Sequence, residues 1–171
     1  SYTKALDVYQ ETLRIRRDVY GDDNLEVASS LNSIGLVLFK LEQLSLAKES
    51  FFRSLMIRRQ ILGRNHRDVA IILHNIATVY IETGDEDDAM QYYRETLRVE
   101  QAALGLTHSD VLLTMQHIGT VHQQRGELTE ALKYFQESLE IQRSSIEIDQ
   151  IALAQTWSHI GNLYLQRGET E

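Results

Sequence analysis

Apolar residues return along this chain at intervals of three and four positions. Between positions 25 and 66 they form two such series, separated by a short polar stretch near position 42. These intervals place side chains on one face of an α-helix, because a helix completes a turn about every 3.6 residues. The pattern therefore predicts two amphipathic helices. Their apolar positions are Val27, Ala28, Leu31, Ile34 and Leu38, followed by Ala47, Phe51, Leu55 and Leu62.

The same pattern returns every 42 residues. Aligning the chain with itself at this offset gives units that begin at Leu25, Arg67, Ser109 and Ile151. A fixed period of this length is typical of stacked two-helix repeats, in which neighbouring units bury one continuous core. The apolar columns of the alignment are Val27, Val69, Val111 and Leu153; Leu31, Leu73, Met115 and Trp157; and Ile34, Ile76, Ile118 and Ile160.

Small and aromatic residues also keep their places in the repeat. Helix axes that lie about 8–10 Å apart leave little room for an aromatic ring unless the facing residue is small. We therefore interpret the small columns as packing notches for a facing ring such as that of Phe51. The small columns are Gly35, Ala77, Gly119 and Gly161, and Ala5, Ala47, Ala89 and Ala131; the aromatic column is Tyr9, Phe51, Tyr93 and Phe135.

Glycines mark the predicted turns. Gly84, Gly126 and Gly168 follow first helices, Gly21, Gly63 and Gly105 follow second helices, and Asp85, Glu127 and Glu169 come next at predicted helix starts. Glycine suits the left-handed residue that ends many helices. Glu42 and Glu147 stand where neighbouring units have glycine, so the repeat alone does not settle the geometry of these two turns.

The resulting prediction is an all-α array of about seven helices, with no Pro anywhere in 171 residues. Its segments are a lone second helix at 2–20, repeats at 25–66, 67–108 and 109–150, and a lone first helix at 151–171. Both ends fall in the middle of a unit, which leaves Trp157, Ile160 and Tyr164 without a covering helix. We expect the chain to be part of a longer array and to associate end to end through its C-terminal helix.

Composition narrows the class of protein. The chain is 43% hydrophobic and 25% charged, which favours an ordered domain, and it has no Cys, which excludes disulfides and thiolate chemistry. No apolar run reaches the roughly 18–20 residues of a membrane-spanning helix, and the first ten residues do not resemble a secretory signal. An intracellular, cytoplasmic setting without membrane contact is expected.

Charge is unevenly distributed. Residues 1–67 contain 11 Lys+Arg and 8 Asp+Glu, whereas residues 68–171 contain 6 and 17, so the two parts carry net charges of +3 and -11. The total of -8 argues against binding to nucleic acid, where a basic surface supplies most of the affinity.

The stretch LHNIATVYIETGDEDDAMQYYRETLRVEQAALGLTHSDV, positions 73–111, resembles the 42-residue tetratricopeptide units of kinesin light chains and of other scaffold proteins. The resemblance covers the whole chain. It implies a right-handed superhelical solenoid of antiparallel helix pairs, with the first helices lining a concave groove. Other two-helix solenoids have repeats of roughly 40–47 residues, but the small columns and the Gly-acid turns favour the tetratricopeptide unit. The chain departs from the tetratricopeptide unit in one respect. Such units often have a proline after the turn His, and here Arg67 and Ser109 stand in its place.

The resemblance places a set of first-helix side chains in that groove. Most carry neutral hydrogen-bonding groups, which suits an extended peptide whose backbone N–H and C=O groups need partners. An ordinary solvated face is the alternative interpretation. The predicted groove residues are Asn32, Ser33, Leu36, Lys40, His74, Asn75, Thr78, Glu82, Gln116, His117, Thr120, Gln124, Ser158, His159 and Asn162.

Two ligand classes fit these residues poorly. Family members that grip a C-terminal carboxylate use a Lys and Asn pair at set first-helix positions, and Asn32 and Leu36 do not form that pair. Light chains that bind acidic peptides use a basic groove, and here Lys40 is the only basic groove residue. Most of the cations lie on second helices, where ion pairs between repeats are favoured over a separate site for an acidic partner; they include Arg14, Arg16, Arg17, Arg53, Arg58 and Arg59.

Several patterns suggest chemistry and are better explained by structure. His74, His117 and His159 share a region of the repeat, but helices about 10 Å apart hold them too far from one another for a common metal ion. Their protonation near pH 6 would make the groove cationic, so acid-sensitive binding is a hypothesis. His66 and His108 fall in a turn column and are expected to cap or pack.

Acidic and aromatic clusters have similar interpretations. The acidic run at 85–88 lacks the ligand spacing of a calcium loop and suits the positive end of a helix dipole. Tyrosines at 80, 92, 93, 134 and 164 follow the repeat and are expected to pack between helices. No nucleophile elbow, phosphate loop or dinucleotide motif occurs, so neither enzyme activity nor a cofactor or metal is expected.

The sequence leaves three functional hypotheses. The first is an adaptor, similar to kinesin light chains, that holds a peptide or helix of a partner protein in its groove. The second is a structural spacer or self-assembly arm without a peptide ligand. The third is a regulatory repeat domain of a larger signalling protein or enzyme.

Overall fold

A computed structural model describes residues 1–144 and 149–168, and every regular element in these residues is an α-helix. This confirms the all-α prediction. Eight helices are described, against the expected seven or so. They are α1 (Tyr2–Tyr20), α2 (Leu25–Lys40), α3 (Leu44–Leu62), α4 (Arg67–Thr83), α5 (Glu86–Leu104), α6 (Ser109–Gln124), α7 (Leu128–Ser144) and α8 (Gln150–Arg167).

Two predicted features fall outside the described residues. These are the turn at Glu147 and the helix start at Glu169. The end of the predicted segment 151–171 lies outside the described residues as well. The chain divides into two compact units, Ser1–Val99 and Glu100–Glu171. The first unit contains α1 to α4 and most of α5, and the second contains the end of α5 together with α6 to α8.

Side chains cap the first helices of the repeat. His66 Nδ1 accepts a hydrogen bond from the backbone N–H of Asp68 at 3.1 Å, and His108 Nδ1 accepts one from Asp110 at 3.1 Å. The capping role expected for these two histidines is therefore confirmed. Asn24 accepts from Glu26 N–H at 2.8 Å in the same way. Each cap satisfies a backbone donor that has no partner inside the helix.

The turn after α2 ends in a strained residue. Glu42 has a φ of 59°, in the left-handed region, where the glycines of the corresponding turns lie. The backbone N–H groups of Glu42 and Gln43 donate to Phe39 O and Leu38 O at 3.0 and 2.9 Å, which closes the helix end. A residue with a Cβ is disfavoured in this conformation by roughly 1–2 kcal/mol. The repeat at 25–66 therefore keeps the same turn as its neighbours, although glutamate is unfavourable in the left-handed conformation.

A ring-and-notch contact joins the helices of a pair. In the first unit, a Cβ built on Gly35 would lie 2.6 Å from Cε1 of Phe51, and in the second unit a Cβ on Gly119 would lie 2.9 Å from Cζ of Phe135. Both rings are fully buried. The prediction that small residues form notches for a facing ring is confirmed at these two positions.

Each unit has its own apolar core. Val27, Val69, Leu31 and Leu73 are buried in the first unit, as the repeat columns predicted. In the second unit Ile160 is buried among residues such as Phe135, Leu139 and Leu163, so the expectation that Ile160 would be uncovered was wrong. The side of α8 that carries Ile160 already packs against α7. Trp157 and Tyr164, from the same expectation, are exposed.

Several arginines of the second helices form ion pairs. Arg58, on α3, pairs with Asp68 of α4 at 2.9 Å, and Arg59 pairs with Glu95 of α5 at 2.8 Å. Arg16, on α1, pairs with Glu26 of α2 at 2.7 Å. Pairing between helices was the favoured interpretation of these arginines, and the contacts confirm it for these three.

One repeat column replaces this cation by an acid. In the repeat alignment, Glu100 occupies the column of Arg16 and Arg58. Asp110 occupies the column of Glu26 and Asp68, the partners of these two arginines. Glu100 is only 6% exposed, and its Oε2 makes no hydrogen bond among the described residues. An acid that replaces a paired arginine therefore lies buried near a second acid.

Burial, and secondarily the charge of Asp110, raises the pKa of Glu100 from 4.5 to about 7, while the hydroxyl of Thr114 partly opposes the rise. The folded chain therefore binds a proton that the unfolded chain has released between these two pH values. Stability contributed by this proton is present at pH 4.5 and is lost as the pH rises through about 7.

Replacing Glu42 by glycine should stabilise the first unit. We expect Glu42→Gly to raise the free energy of unfolding by about 0.5–1 kcal/mol, because relief of the left-handed strain exceeds the greater chain entropy of glycine. Urea denaturation followed by circular dichroism measures this change. Glu42→Ala keeps the Cβ and is the matched control; an equal gain from both substitutions would contradict the strain.

Replacing Glu100 by glutamine should stabilise the chain in a pH-dependent way. At pH 8 we expect Glu100→Gln to raise the free energy of unfolding by about 1–2 kcal/mol, because it removes a buried charge. At pH 5 the change should be close to zero, since protonated Glu100 resembles the amide. Urea titrations at both pH values test this, with the exposed Glu140→Gln on α7 as control. A gain that does not depend on pH would disprove the assignment.

Candidate binding groove

The predicted groove residues lie on the surface of their units. None of them is buried, so each remains accessible on its own first helix. Exposed members are Leu36, Lys40, Glu82, Gln124, Ser158 and Asn162; half-buried members are Asn32, Ser33, His74, Asn75, Thr78, Gln116, His117, Thr120 and His159. Their role in binding stays a prediction.

A cavity of about 410 Å³ opens among these residues in the first unit. Leu36 and Lys40 of α2 and His74, Asn75 and Thr78 of α4 line it, as predicted groove residues. The side chains of two consecutive first helices thus share one depression. Its volume falls at the lower end of the range of about 300–1,000 Å³ that is usual for ligand sites.

Apolar residues complete the lining of this cavity. Tyr2 of α1, Val37 and Phe39 of α2 and Phe51 of α3 contribute to it, and none of them was among the predicted groove residues. The sequence did contain a signal, since Leu36 to Phe39 form an apolar run that extends beyond one face of α2. The cavity therefore combines apolar surface with polar groups, which is the usual composition of a recognition pocket.

Two asparagine side chains bridge neighbouring repeats beside the cavity. Asn75 Nδ2 of α4 donates to Asn32 Oδ1 of α2 at 2.9 Å. This bond fixes both amides and uses one polar atom of each. Asn32 Nδ2 and Asn75 Oδ1 have no protein partner among the described residues. One fixed donor and one fixed acceptor are thus presented together, which matches the C=O and N–H groups of a peptide backbone.

Hydroxyl groups of the groove mostly bond to their own helices. Thr78 donates to the carbonyl of His74 at 3.0 Å, Thr120 to that of Gln116 at 2.9 Å, and Ser158 to that of Ala154 at 3.0 Å. Their hydrogens are already used, so these hydroxyls can act toward a ligand only as acceptors. The groove therefore offers fewer donors than its sequence suggested.

The groove histidines pack against aromatic rings. The ring of His74 lies edge-on to Tyr93 with centroids 5.4 Å apart, and that of His159 stacks on Phe135 at 4.7 Å. His117 is half-buried. The described residues contain no group of three or more His, Asp, Glu or Cys side chains arranged to hold a metal ion.

The hypothesis of a groove that becomes cationic near pH 6 needs correction. Burial lowers the pKa of both His117 and His159 below the usual histidine value of 6.5. Protonation of these two side chains therefore requires a lower pH than the hypothesis assumed. Below pH 6.5 their burial instead destabilises the fold, because the unfolded chain binds the proton more readily.

In the second unit, Gln116 takes part in a polar contact between helices. Gln116 Nε2 donates to Thr156 Oγ1 at 2.9 Å, and Thr156 donates to Gln142 Oε1 at 3.1 Å, so Gln116 belongs to a polar link between helices. Gln116 also lines a second cavity of about 380 Å³, which includes none of the other predicted groove residues. Of the predicted set, the structure brings together mainly the members on α2 and α4.

Tyrosines expected to pack between helices mostly do so. Tyr80 and Tyr92 stack with ring centroids 5.5 Å apart, and Phe52 meets Tyr92 edge-on at 5.9 Å. Tyr93 is buried and Tyr134 stacks on His122 at 5.6 Å. Tyr164 is the exception, because it is exposed on α8.

None of the helices in residues 1–144 and 149–168 combines the length and apolarity required to cross a bilayer.

Comparison with models of protein families identifies the type of these repeats. The family model described as tetratricopeptide repeat matches residues 1–55, 47–102 and 110–171. The chain belongs to the tetratricopeptide repeat family. Proteins with these repeats are generally non-enzymatic scaffolds that bind other proteins.

Solved structures show the same fold. The crystal structure of BtubC (BKLC) from P. vanneervenii superposes with a TM-score of 0.87 at 20% identity, covering 98% of this chain and 67% of that one. A putative kinesin light chain from Podosopora anserina with nearly identical TPR-like repeats gives 0.85 at 15% identity, covering 98% and 80%. MamA gives 0.68 at 13% identity, covering 98% and 80%.

At these identities the likeness concerns the fold alone. A search of curated protein sequences finds no match.

Proposed function

We propose that this tetratricopeptide repeat chain is an adaptor that holds an extended peptide segment of a partner protein against α2 and α4. The observation that supports the proposal best is the cavity of about 410 Å³ beside the Asn32–Asn75 bridge. It joins an apolar depression to a fixed pair of backbone-binding groups. An ordinary solvated helix face would require neither feature.

The apolar part of the cavity suits one aliphatic or aromatic side chain of the ligand. Leu36 is exposed although it lies among apolar neighbours, so a ligand would remove its surface from water. Complete burial of a side chain the size of Leu or Phe stabilises a complex by about 1.5–3 kcal/mol. This burial free energy would favour binding with an apolar residue of the peptide in the cavity.

The polar part suits the peptide backbone. The Asn32–Asn75 bridge holds its remaining donor and acceptor in fixed positions, so little side-chain entropy is lost on binding. Among the described residues, Lys40 is the one Lys or Arg that lines the cavity, in agreement with a ligand that is not selected by strong charge. The similarity in fold to a putative kinesin light chain supports an adaptor role like that of kinesin light chains.

Peptide selection from a random display library, followed by fluorescence polarisation with the 171-residue chain, tests the proposal. We expect the selected peptides to share an apolar residue. Asn75→Ala should weaken their binding about 5–20-fold, because it removes a ligand hydrogen bond and releases Asn32. Leu36→Glu should weaken binding at least about tenfold, since it places a charge at the apolar cavity.

Leu46→Glu on α3 is the matched control, because Leu46 is similarly exposed but does not line the cavity. Its affinity should equal that of the unchanged chain. Selected peptides that bind all variants equally would contradict the proposal, as would a selection that enriches no peptide.

A further inference from the structure

A cavity of about 380 Å³ in the second unit has no part in the proposed function. It lies beside the N-terminal halves of α6 and α8 and the last turn of α7, to which Gln142 belongs. Among the described residues, its lining contains two carboxylates, those of Asp110 and Asp149, and no Lys or Arg. The lining therefore offers negative charge without a cation of its own.

The repeat shows what occupies the equivalent place in the first unit. Gln142 stands in the column of Arg58, and Ala152 stands in the column of Asp68. Arg58 is buried, pairs with Asp68 at 2.9 Å and donates to Ser29 at 3.2 Å. In the second unit, shorter and uncharged residues replace both members of this ion pair. The cavity opens beside these two replacements, because Gln142 and Ala152 both line it.

The cavity lies within the helix packing of the second unit. Asp68 on α4 points back to the preceding helix α3, where it meets Arg58. Ala152 has the same register position on α8, and α7 is the helix before it. Thr156 of α8 also bonds to Gln142 of α7 at 3.1 Å. The cavity is therefore formed by the side of α8 that already packs against its neighbours.

A buried polar group of this cavity lacks a partner. Gln142 is only 4% exposed, and its Oε1 accepts the hydrogen bond from Thr156. Its Nε2 makes no hydrogen bond among the described residues. A buried donor without an acceptor costs about 1–3 kcal/mol. A ligand that brings a carbonyl oxygen to Nε2 would remove this cost.

Asp149 supplies a carboxylate oxygen for a cation. Its Oδ1 accepts hydrogen bonds from the backbone N–H groups of Ile151 and Ala152 at 3.0 and 3.1 Å, which caps α8. Oδ2 takes no part in this cap and is left for a ligand. Residues 100–171 contain 4 Lys+Arg and 10 Asp+Glu, so their net charge is -6. This charge attracts a basic ligand to the second unit.

We propose that this cavity binds an arginine side chain of a partner peptide. The guanidinium pairs with Asp149 and takes the place that the Arg58 side chain has in the first unit. The adjoining backbone carbonyl of the peptide accepts a hydrogen bond from Gln142 Nε2. Guanidinium suits this lining because it has only donors, which carboxylate and hydroxyl oxygens can accept. The site is separate from the α2–α4 groove and does not rest on the function proposed there.

An NMR titration of the 171-residue chain with the peptide acetyl-Gly-Arg-Gly-amide tests the proposal. We expect millimolar peptide to shift the backbone resonances of Gln142, Asp149 and Ala152. The matched peptide carries citrulline, which has nearly the shape of arginine but no charge. It should bind at least about fivefold more weakly, because the ion pair with Asp149 is lost.

Variants of the chain test the two sides of the site. Asp149→Asn should weaken binding of the arginine peptide about 3–10-fold, because asparagine keeps the cap of α8 and loses the charge. Glu137→Gln is the matched control, since Glu137 is exposed on α7, does not line the cavity and changes the net charge equally. The double substitution Gln142→Arg/Ala152→Asp copies the ion pair of the first unit and should abolish binding by filling the cavity. Circular dichroism checks that each variant is folded.

Three results would overturn the proposal. One is the absence of shifts at Gln142, Asp149 and Ala152, or equal shifts with the citrulline peptide, which needs no variant. Another is equal weakening by Asp149→Asn and Glu137→Gln, because it would indicate attraction to the net charge alone. The third is unchanged binding to a folded Gln142→Arg/Ala152→Asp chain. Leu36→Glu in the α2–α4 groove should leave this titration unchanged, so the two proposals can fail separately.

Discussion

The ring of Phe51 occupies the space that a side chain at position 35 would need, and the ring of Phe135 does the same opposite Gly119. These contacts set how closely the two helices of a pair approach. Each also fixes the rotation of its helices, because only one face of the first helix has the notch. Apolar columns such as Val27 and Val69 can then be buried between the helices, while the opposite face of each first helix stays accessible.

The candidate groove follows from this pairing. The close fit of α2 and α3 leaves Leu36 and Asn32 on the accessible side, where α4 adds Asn75 and the cavity forms. Glu100 shows that the column of paired arginines also accepts an acid, whose pKa burial raises to about 7.

Much of the fold could be predicted from sequence because the 42-residue period repeats each constraint. It identified the notch at Gly35, and the turn column suggested the capping role of His66, because both depend on neighbours at fixed positions. The apolar lining from Tyr2 and Phe39 was missed, since it is assembled from separate helices and no single column records it. The burial of Ile160 was missed because the α7 side of α8 buries this residue without a second covering helix. The lowered pKa values of His117 and His159 depend on depth of burial, which spacing alone does not give.

A double-mutant cycle at Gly35 and Phe51 tests the ring-and-notch contact most directly, with unfolding free energies measured by urea titration in dilute solution. We predict that Gly35→Ala destabilises the chain by about 1–3 kcal/mol when Phe51 is present, because the added Cβ overlaps the ring. In the Phe51→Leu background the same substitution should cost little, and Gly161→Ala, with open space around it, should stabilise by up to about 1 kcal/mol. An equal effect of Gly35→Ala in both backgrounds would contradict the account.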